Sequence, residues 1–438
     1  MKTSVIGRTA ATLLAAWLVC QTASAQQYQP TEDNLQARRE FRDQGFGIFL
    51  HWGIYSMLAT GEWTLNTKNL NYLEYAKLAK GFYPAEFDAA KWVSAIKAAG
   101  AKYICFTTRH HDGFSMWDTQ YSDYNIVKGT PFRRDIVKEL ADECHRQGIG
   151  LHLYYSHLDW GRLDYPLGRT GRGTGRPKDK QDWKSYYTFM NNQLTELLTK
   201  YGKVDAIWFD GMWDQKENPD FDWQLPGQYA LIHRLQPSCL IGNNHHSTPN
   251  PGEDFQIFEQ DLPGENTGGL SGQDISQLPL ESCVTMNGMW GYKITDQNYK
   301  SGRQLIQLLV RAAGKNANLL LNMGPEPNGN LPAMALSRLA EMGAWLKTYG
   351  TTIYGCRGGL VAPHDWGVTT QKGNKLYVHI LNLKDKGLFI PTGNKTVVSA
   401  VDFITRRPVK TAKTASGVTL LLGEVPTDID KVIELEIK

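Results

Sequence analysis

Short apolar runs alternate with helix-like segments from Phe46 to about Gly350, and this alternation constrains the fold more than any other feature of the chain. Seven runs are strand candidates: FGIFLHWG, KYICFTTR, IGLHLYYS, VDAIWFDG, SCLIGNN, DFQIFE and NANLLLNMG. An eighth lies near ESCVTMNGMWGY. Nearly continuous apolar runs are typical of parallel strands that are buried on both faces. Eight such strands over roughly 300 residues predict an α/β fold, a (β/α)8-like TIM barrel, rather than an open doubly wound sheet.

The segments between these runs have the composition and the glycine stops of helices. They read DAAKWVSAIKAAG, RDIVKELADECHRQG, KSYYTFMNNQLTELLTKYG, QYALIHRLQP and SGRQLIQLLVRAAGKN, and PAMALSRLAEMGAWLKTYG ends the barrel. No GxGxxG fingerprint follows the first strand, which weakens a dinucleotide-binding alternative. Beyond Thr351, four β-rich segments are separated by turn residues. We therefore expect a barrel over residues 26–350 and a small C-terminal β-sandwich over residues 351–438.

Residues 1–25 have the pattern of an export signal. Lys2 and Arg8 precede the apolar run AATLLAAWLV, and ASA stands before Gln26 as a cleavage site. The run is shorter than the ~20 residues that cross a bilayer, and no later segment is a candidate for a membrane span. A lipid anchor on Cys20 is disfavoured because the bulky Val19 precedes it. The expected product is an exported protein, periplasmic or extracellular.

The charge and cysteine content exclude several classes of protein. Lys and Arg number 47 against 44 Asp and Glu, so no nucleic-acid partner is indicated. The segment GRTGRGTGRPKDKQ is accordingly interpreted as a mobile βα-loop. Five cysteines beyond the signal are widely spaced and form no CxxC pair, which argues against a disulfide framework and a zinc ribbon, although one incidental bridge stays open. They are Cys105, Cys144, Cys239, Cys283 and Cys356.

Polar residues close several of the apolar runs. In a barrel of this class the chemistry lies at the carboxyl ends of the strands, so these side chains are expected to converge on one pocket. They are His51, Trp52, His110, His111, Tyr154, Tyr155, Asp210 and Glu259. Asp210 in AIWFDG is the strongest candidate, because an unpaired charge at the end of a buried strand is costly and the next helix starts too far downstream for Asp210 to cap it.

The doublet His110–His111 in TTRHHDGFSMW has two further interpretations. A zinc site needs three or four ligands at known spacings, and apart from NNHH at 243–246 the sequence supplies no second ligand pair, so no metal is predicted. Core histidines bonded to backbone carbonyls are the other alternative. Adjacent strand residues point to opposite faces, so both rings reach one pocket only where the chain turns, and Gly113 makes that turn plausible.

These residues resemble the exported α-L-fucosidases of glycoside hydrolase family 29. The matching pieces are FGIFLHWGIYS, GEW, TTRHHDGFSMWDT, YYS with the following DW, WFDG and MWGYKITDQNYKS, and they extend from about Phe41 to Gly324. The resemblance implies a (β/α)8-like barrel with a C-terminal β-sandwich and the retaining hydrolysis of α-L-fucosyl residues through a glycosyl-aspartate. The substrate would be a fucosylated oligosaccharide or glycoconjugate, and this chemistry needs no cofactor.

The resemblance also implies roles for individual residues. Asp210 would be the nucleophile and Glu259 the acid/base, with Glu253 and Glu265 as alternatives for the second role. The fucose pocket would be lined by His51, Glu62, Trp63, His110, His111, Tyr154 and Trp208, and Trp208 or Trp290 would supply an apolar wall for the fucose methyl group.

Two departures from the family pattern leave alternatives open. The family often has an arginine where this chain reads GNNHHSTPNPGE, so His245 or His246 would take that role, or the subsite differs. The loop DLPGENTGGLSGQDISQLPLESC leaves the leaving-group preference undetermined. A catalytically impaired carbohydrate-binding protein and a glycosidase for a fucose-like sugar, such as an L-galactoside, are therefore retained as alternatives. The sequence does not predict an oligomeric state.

Overall fold

The computed structural model describes residues 28–438, so the predicted export signal lies outside the described residues. The barrel strands are β1 (Phe46–Leu50), β2 (Tyr103–Arg109), β3 (Gly150–Ser156), β4 (Ala206–Asp210), β5 (Leu240–Asn244), β6 (Gln256–Glu259), β7 (Leu280–Thr285) and β8 (Ala317–Met323). Seven coincide with the predicted runs, and β7 is the eighth strand that was expected near ESCVT. The (β/α)8-like prediction is confirmed.

The helices of this part of the chain are α1 (Glu32–Gln44), α2 (Thr64–Thr67), α3 (Tyr72–Ala76), α4 (Ala89–Ala98), α5 (Ile136–Gln147), α6 (Trp183–Lys200), α7 (Leu225–Leu235), α8 (Gly302–Gly314) and α9 (Ala333–Tyr349). Six of them, α4 to α9, were predicted as the helix-like segments between the strands, several of which end with a glycine stop. Irregular loops rather than helices connect β5 to β6 and β6 to β7. The barrel therefore lacks two of the eight helices of the regular fold.

The eight strands form one parallel sheet in the order β5-β4-β3-β2-β1-β8-β7-β6. β5 and β6 are its two ends, and a side chain joins them where a strand ladder is missing. The Ile241 amide donates to Asp254 Oδ2 at 2.8 Å, and the Asp254 amide donates to the Ile241 carbonyl at 2.7 Å. The sheet is therefore a nearly closed barrel with a seam between β5 and β6.

Helix α1, which the sequence interpretation missed, closes the amino-terminal end of the barrel. Its Phe41 side chain packs against Tyr103 and Phe255 inside the barrel. The Phe41 carbonyl accepts a hydrogen bond from Asn318 Nδ2 at 2.7 Å, which attaches the helix to the start of β8. Because this end of the barrel is plugged, the carboxyl end of the strands is the open one.

The C-terminal strands are β9 (Arg357–Gly358), β10 (Gly367–Lys372), β11 (Lys375–Ile380), β12 (Gly387–Pro391), β13 (Val397–Asp402), β14 (Lys410–Thr414), β15 (Gly417–Leu421) and β16 (Lys431–Ile437). They form two antiparallel sheets, β13-β16-β11-β10-β9 and β12-β15-β14, around a shared apolar core. Gln307 of α8 donates to the Leu381 and Ile429 carbonyls, which attaches the sandwich to the barrel. The predicted C-terminal β-sandwich is therefore present.

The five cysteines within 28–438 are all buried free thiols, so the incidental bridge that the sequence left open does not form among them. In the same part of the chain, no helix has the length and apolar character needed to span a membrane.

Candidate active site

A cavity of about 1060 Å³ opens at the carboxyl ends of the barrel strands. Its inner wall is built from strand ends and from the first residues of the following loops. These residues are Phe49, His51, Trp63, His110, His111, Tyr154, Trp208, Asp210, Trp213, Asn244, His246, Glu259 and Trp290. The expected convergence of polar strand ends on one pocket is therefore found. Trp52 and Tyr155 point away from it, because neighbouring residues of a strand face opposite sides.

Asp210 ends β4, and hydrogen-bond donors approach both of its carboxylate oxygens. Oδ1 accepts from the Gly211 amide at 2.7 Å and from Trp213 Nε1 at 3.0 Å. Oδ2 accepts from the Tyr154 hydroxyl at 3.0 Å. The residue is only 9% exposed, and no lysine or arginine of the described chain forms an ion pair with it. The donors thus hold the carboxylate in one orientation at the cavity wall without neutralising its charge.

Burial raises the pKa of Asp210 to about 6, and the nearby charge of Glu259 acts in the same direction. The hydrogen bonds from Trp213 and Tyr154 act in the opposite direction, because they stabilise the ionised form. Asp210 is therefore ionised at neutral pH, and its carboxylate is a desolvated base with neutral donors around it.

Asn244, at the end of β5, connects the two carboxylates of the site. Its Nδ2 donates to Glu259 Oε2 at 2.7 Å and lies 3.4 Å from Asp210 Oδ1. These two oxygens are consequently no more than about 6.1 Å apart, the sum of the two distances. Two carboxyl groups about 5–5.5 Å apart are typical of retaining glycosidases, whereas inverting enzymes keep them about 6.5–9.5 Å apart. This upper limit on the distance between the two oxygens favours the retaining geometry.

Glu259 ends β6, on the other side of the seam from Asp210. His246 Nε2 lies 2.8 Å from the same Oε2 that accepts from Asn244. The second carboxylate oxygen has no hydrogen-bond partner among the described residues, and the side chain is 15% exposed toward the cavity. Glu259 therefore retains an oxygen that is free to exchange a proton with a bound molecule.

The alternatives to Glu259 lie outside the cavity lining. Glu253 is buried and accepts hydrogen bonds from the Tyr229 hydroxyl and from His245 Nε2. Glu265 forms an ion pair with Lys315 at 2.7 Å. Of the two histidines considered for the arginine position, His246 contacts Glu259, whereas His245 is committed to Glu253. The structure thus favours Glu259 and His246 over their competitors.

Both histidines of the doublet line the same cavity, and their ring centroids are 4.1 Å apart. The chain turns through Gly113, whose φ of 77° lies in the left-handed region. The Ser156 hydroxyl donates to the Leu158 carbonyl, so it accepts from His111 Nδ1 at 2.7 Å. That bond leaves His111 Nε2 facing Asp210 Oδ2 at 3.5 Å.

Burial holds the pKa of both doublet histidines well below the usual value, and it lowers the pKa of His51 to about 3. His51 Nδ1 is bonded to Asn322 Oδ1 at 2.7 Å, and His110 Nδ1 has no partner among residues 28–438. These rings are therefore neutral at physiological pH. A neutral imidazole offers one donor and one acceptor, which suits a sugar hydroxyl.

An apolar corner completes the floor of the cavity. Phe49 contacts Trp208 and Trp290, with ring centroids 5.1 and 6.0 Å away. A hydrogen bond from Trp208 Nε1 to Glu281 Oε1 at 2.9 Å holds the indole of Trp208 in place. Both tryptophans that were considered for an apolar wall are thus at the cavity surface.

Trp63 and Glu62 differ in position. Trp63 lines the cavity and stacks on Trp213 at 5.6 Å between ring centroids. Glu62 is buried and does not belong to the lining, and its Oε2 accepts from the Gly291 amide at 2.7 Å. Glu62 therefore fixes the loop that carries Trp290, while its predicted contact with a sugar hydroxyl stays a prediction.

Sequence interpretation missed three residues of the inner wall, Phe49, Asn244 and Trp213. Asn244 ends the predicted run SCLIGNN, so the rule that selects polar residues at strand ends would have found it. Trp213 follows Asp210 by three residues in a 3-10 turn over Met212–Gln215, and only the turn brings its indole back to the carboxylate. No pattern in the sequence indicates that contact.

Comparison with known proteins shows the family of the chain. The sequence model described as Alpha-L-fucosidase matches residues 15–351. The chain belongs to the alpha-L-fucosidase family. This fucosidase is 27% identical to the plasma alpha-L-fucosidase of Homo sapiens over 421 residues, which cover 87% of this chain and 85% of the relative.

Solved structures of fucosidases share the whole fold. Alpha-L-fucosidase isoenzyme 1 from Paenibacillus thiaminolyticus is 34% identical, with a TM-score of 0.82 over 93% of this chain and 100% of the other. A family 29 fucosidase from Bacteroides thetaiotaomicron is 25% identical, with a TM-score of 0.81 over 95% of this chain and 98% of the other. That structure is a covalent intermediate trapped with 2-fluoro-fucosyl fluoride in a Glu-to-Gln mutant.

The family membership shows that the chain is an alpha-L-fucosidase, and this cavity is the candidate for its active site. Within residues 28–438 no group of three or more His, Cys, Asp or Glu side chains is arranged to hold a metal ion. The two carboxylates, the neutral histidines and the apolar corner line the candidate active site of this fucosidase.

Proposed function

We propose that this fucosidase is a retaining exo-glycosidase in which Asp210 is the nucleophile and Glu259 is the acid/base. The observation that carries the assignment is the position of Asn244, whose amide lies within reach of both carboxylates and holds them within about 6.1 Å. The relative trapped as a covalent intermediate in a Glu-to-Gln mutant supports a covalent mechanism with a catalytic glutamate.

The proposed first step forms one bond and breaks another. Asp210 attacks the anomeric carbon, the bond to the leaving oxygen breaks, and Glu259 transfers its proton to that oxygen. In the second step Glu259 removes a proton from water, whose oxygen displaces Asp210 from the anomeric carbon. Two inversions give α-L-fucose with its original configuration, and both carboxyl groups return to their starting states.

The pocket floor supports fucose as the preferred sugar. We assign the neutral rings of His51, His110 and His111 to ring hydroxyls and the corner of Phe49, Trp208 and Trp290 to the C5 methyl group. An L-galactoside would place a hydroxyl group against this corner, where no polar partner meets it. We therefore expect kcat/KM for an aryl α-L-fucoside to exceed that for the L-galactoside at least tenfold.

The physiological substrate and location follow from the same proposal. The active-site pocket of this exo-glycosidase accepts a terminal fucosyl residue of an oligosaccharide or glycoconjugate. The export signal over residues 1–25 supports a periplasmic or extracellular protein whose mature chain begins near Gln26. In this proposal the mature chain has a catalytic domain over residues 26–350 and a β-sandwich over residues 351–438.

Kinetics on aryl α-L-fucosides tests the two roles. Asp210→Ala should lose activity by a factor on the order of 10³ to 10⁵ on every substrate. Glu259→Ala should retain more activity on activated leaving groups, and azide should restore turnover by attacking the glycosyl-enzyme to give α-fucosyl azide. Glu265→Ala removes a carboxylate outside the cavity and is the matched control. Full activity of Asp210→Ala, or an inactive Glu265→Ala beside an active Glu259→Ala, would contradict the assignment.

A further inference from the structure

The arginine- and glycine-rich segment after β3 lies at the mouth of the cavity and forms several hydrogen bonds to distant parts of the chain, which its composition did not indicate. The buried Asp214 carboxylate accepts from the Tyr165 hydroxyl at 2.8 Å and from the Thr170 amide and hydroxyl at 2.8 and 2.7 Å. The Gly171 amide donates to Asn66 Oδ1 at 2.7 Å. These bonds, formed over long sequence separations, hold the segment at the cavity edge.

The anchored segment directs Arg169 into the cavity mouth. Arg169 lines the cavity together with Lys216 and Glu217, which follow β4. The Arg169 side chain is 48% exposed, whereas His111 and Tyr154 at the floor are almost completely buried. In an exo-glycosidase the sugar occupies the floor, so the exposed mouth is where the leaving group lies. Arg169 and Lys216 therefore face the aglycone.

Cations outnumber carboxylates on this side of the mouth. Glu217 accepts a hydrogen bond from Arg172 at 2.7 Å, and its other oxygen forms a looser ion pair with Arg169 at 3.8 Å, without a hydrogen bond. No hydrogen bond or ion pair engages the Lys216 ammonium in the described chain. Asp274 is the rim carboxylate of the loop between β6 and β7. Among the described residues, the Arg169 guanidinium has one distant ion pair and no side-chain hydrogen bond, and the Lys216 ammonium has neither, so both retain donors for a bound anion.

The two cations are close enough to affect each other. The pKa of Lys216 is lowered by burial and by the positive charge of Arg169. Two like charges that are close together repel each other, and an anion bound between them relieves that repulsion. A guanidinium and an ammonium form the strong charge-assisted hydrogen bonds that carboxylates and sulfates accept.

We propose that Arg169 and Lys216 form an anion-binding aglycone subsite, which selects fucosylated glycans whose leaving group carries a carboxylate or a sulfate. This inference rests on the proposed fucosidase mechanism and adds the class of leaving group to it. A neutral aglycone still reaches Glu259 but gains nothing from the two cations.

Matched pairs of aryl α-L-fucosides test the subsite whatever glycosidic linkage the enzyme prefers. The 4-carboxyphenyl fucoside is compared with the neutral 4-carbamoylphenyl fucoside, and the 4-sulfophenyl fucoside with the neutral 4-sulfamoylphenyl fucoside. We expect kcat/KM to be at least about tenfold higher for the charged member of one or both pairs at low salt. The preference should shrink as ionic strength rises. The pair with the larger ratio distinguishes a carboxylate from a sulfur oxyanion as the preferred group.

The double variant Arg169→Gln/Lys216→Gln should reduce the charged-to-neutral ratio to about one. Lys178→Gln removes an exposed cation of the same loop that does not line the cavity, and it should keep the wild-type ratio. Ratios near or below one in the wild type, or a ratio that survives the double variant, would overturn the subsite while leaving the fucosidase mechanism intact. Wild-type protein that hydrolyses none of the four fucosides would overturn the mechanism, and the subsite with it.

Discussion

The indole Nε1 of Trp213 donates a hydrogen bond to Oδ1 of Asp210 at 3.0 Å, three residues after the carboxylate in the chain. This donor lowers the pKa of Asp210 against the effect of burial, which raises it to about 6. Catalysis requires the ionised form, so kcat/KM should fall as the pH decreases through about 6.

Trp213→Phe should move this acidic limb to higher pH by about one unit, because the ionised carboxylate loses a donor. The pH profile of kcat/KM on an aryl fucoside measures the shift. Tyr154→Phe removes the donor to the other oxygen and should shift the limb in the same direction. An acidic limb that stays in place, or moves to lower pH, in both variants would contradict this account of Asp210.

Asn244→Ala should impair leaving-group protonation more than nucleophilic attack. The variant loses the 2.7 Å bond that orients Glu259 across the seam, whereas Asp210 keeps its bonds to Gly211, Trp213 and Tyr154. We expect the loss of kcat/KM to be about 10- to 100-fold larger on poor leaving groups than on activated ones. The neighbouring Asn243→Ala removes an amide that bonds Tyr229 instead, and equal leaving-group dependence in the two variants would argue against a positioning role.

Glu281→Leu should destabilise the fold by about 2–5 kcal/mol, because it leaves two buried donors unpaired. The Tyr103 hydroxyl donates to Glu281 at 2.5 Å and Trp208 Nε1 donates at 2.9 Å. Urea unfolding measures the loss, and Glu281→Gln, which keeps an acceptor, should lose less.

The pH dependence of Glu281→Gln has a defined sign. Burial raises the pKa of Glu281 to about 7, above its value in the unfolded chain, so the wild type loses stability as the pH rises through the interval up to about 7. The glutamine variant lacks this loss. The difference in free energy of unfolding between the variant and the wild type should therefore favour the variant more at pH 8 than at pH 5. A difference that is equal at the two pH values, or larger at pH 5, would contradict the raised pKa of Glu281.

Asp214→Ala should release the segment that carries Arg169. Wild-type protein should resist limited trypsin digestion at Arg169 and Arg172, and the variant should be cleaved there first, since the bonds from Tyr165 and Thr170 are lost. Asp179→Ala changes an exposed residue near the end of the same segment and is the control. Equal cleavage of the three proteins would mean that Asp214 does not anchor the segment.

The sequence predicted those features of the site that depend on strand position. Asp210, Tyr154 and the histidines lie at strand ends, where the alternation of faces and the barrel architecture determine their direction. The choice of Glu259 over Glu253 was not accessible in this way, because both lie near β6. The choice depends on the side chains that contact each carboxylate. Asn244 and His246 contact Glu259. Tyr229 and His245 contact Glu253.

Contacts between distant loops account for what the sequence did not predict. The Arg- and Gly-rich segment has the composition of a mobile loop, yet Asp214, 44 residues after Thr170, anchors it. Glu62 bonds the Gly291 amide, 229 residues away, and this contact was not predicted, whereas the expected contact of Glu62 with a sugar hydroxyl stays a prediction. Local patterns contain no information on such pairs, since they form only when the barrel brings its loops together.

Covalent trapping tests the central assignment most directly. Incubation of the full-length mature protein with 2-deoxy-2-fluoro-α-L-fucosyl fluoride slows breakdown of the glycosyl-enzyme, so that mass spectrometry of proteolytic peptides locates the attached sugar. The proposed mechanism predicts one 2-fluorofucosyl group on the peptide that contains Asp210, and no label on Asp210→Asn. A label on Glu259 or on another residue, or equal labelling of Asp210→Asn, would contradict it.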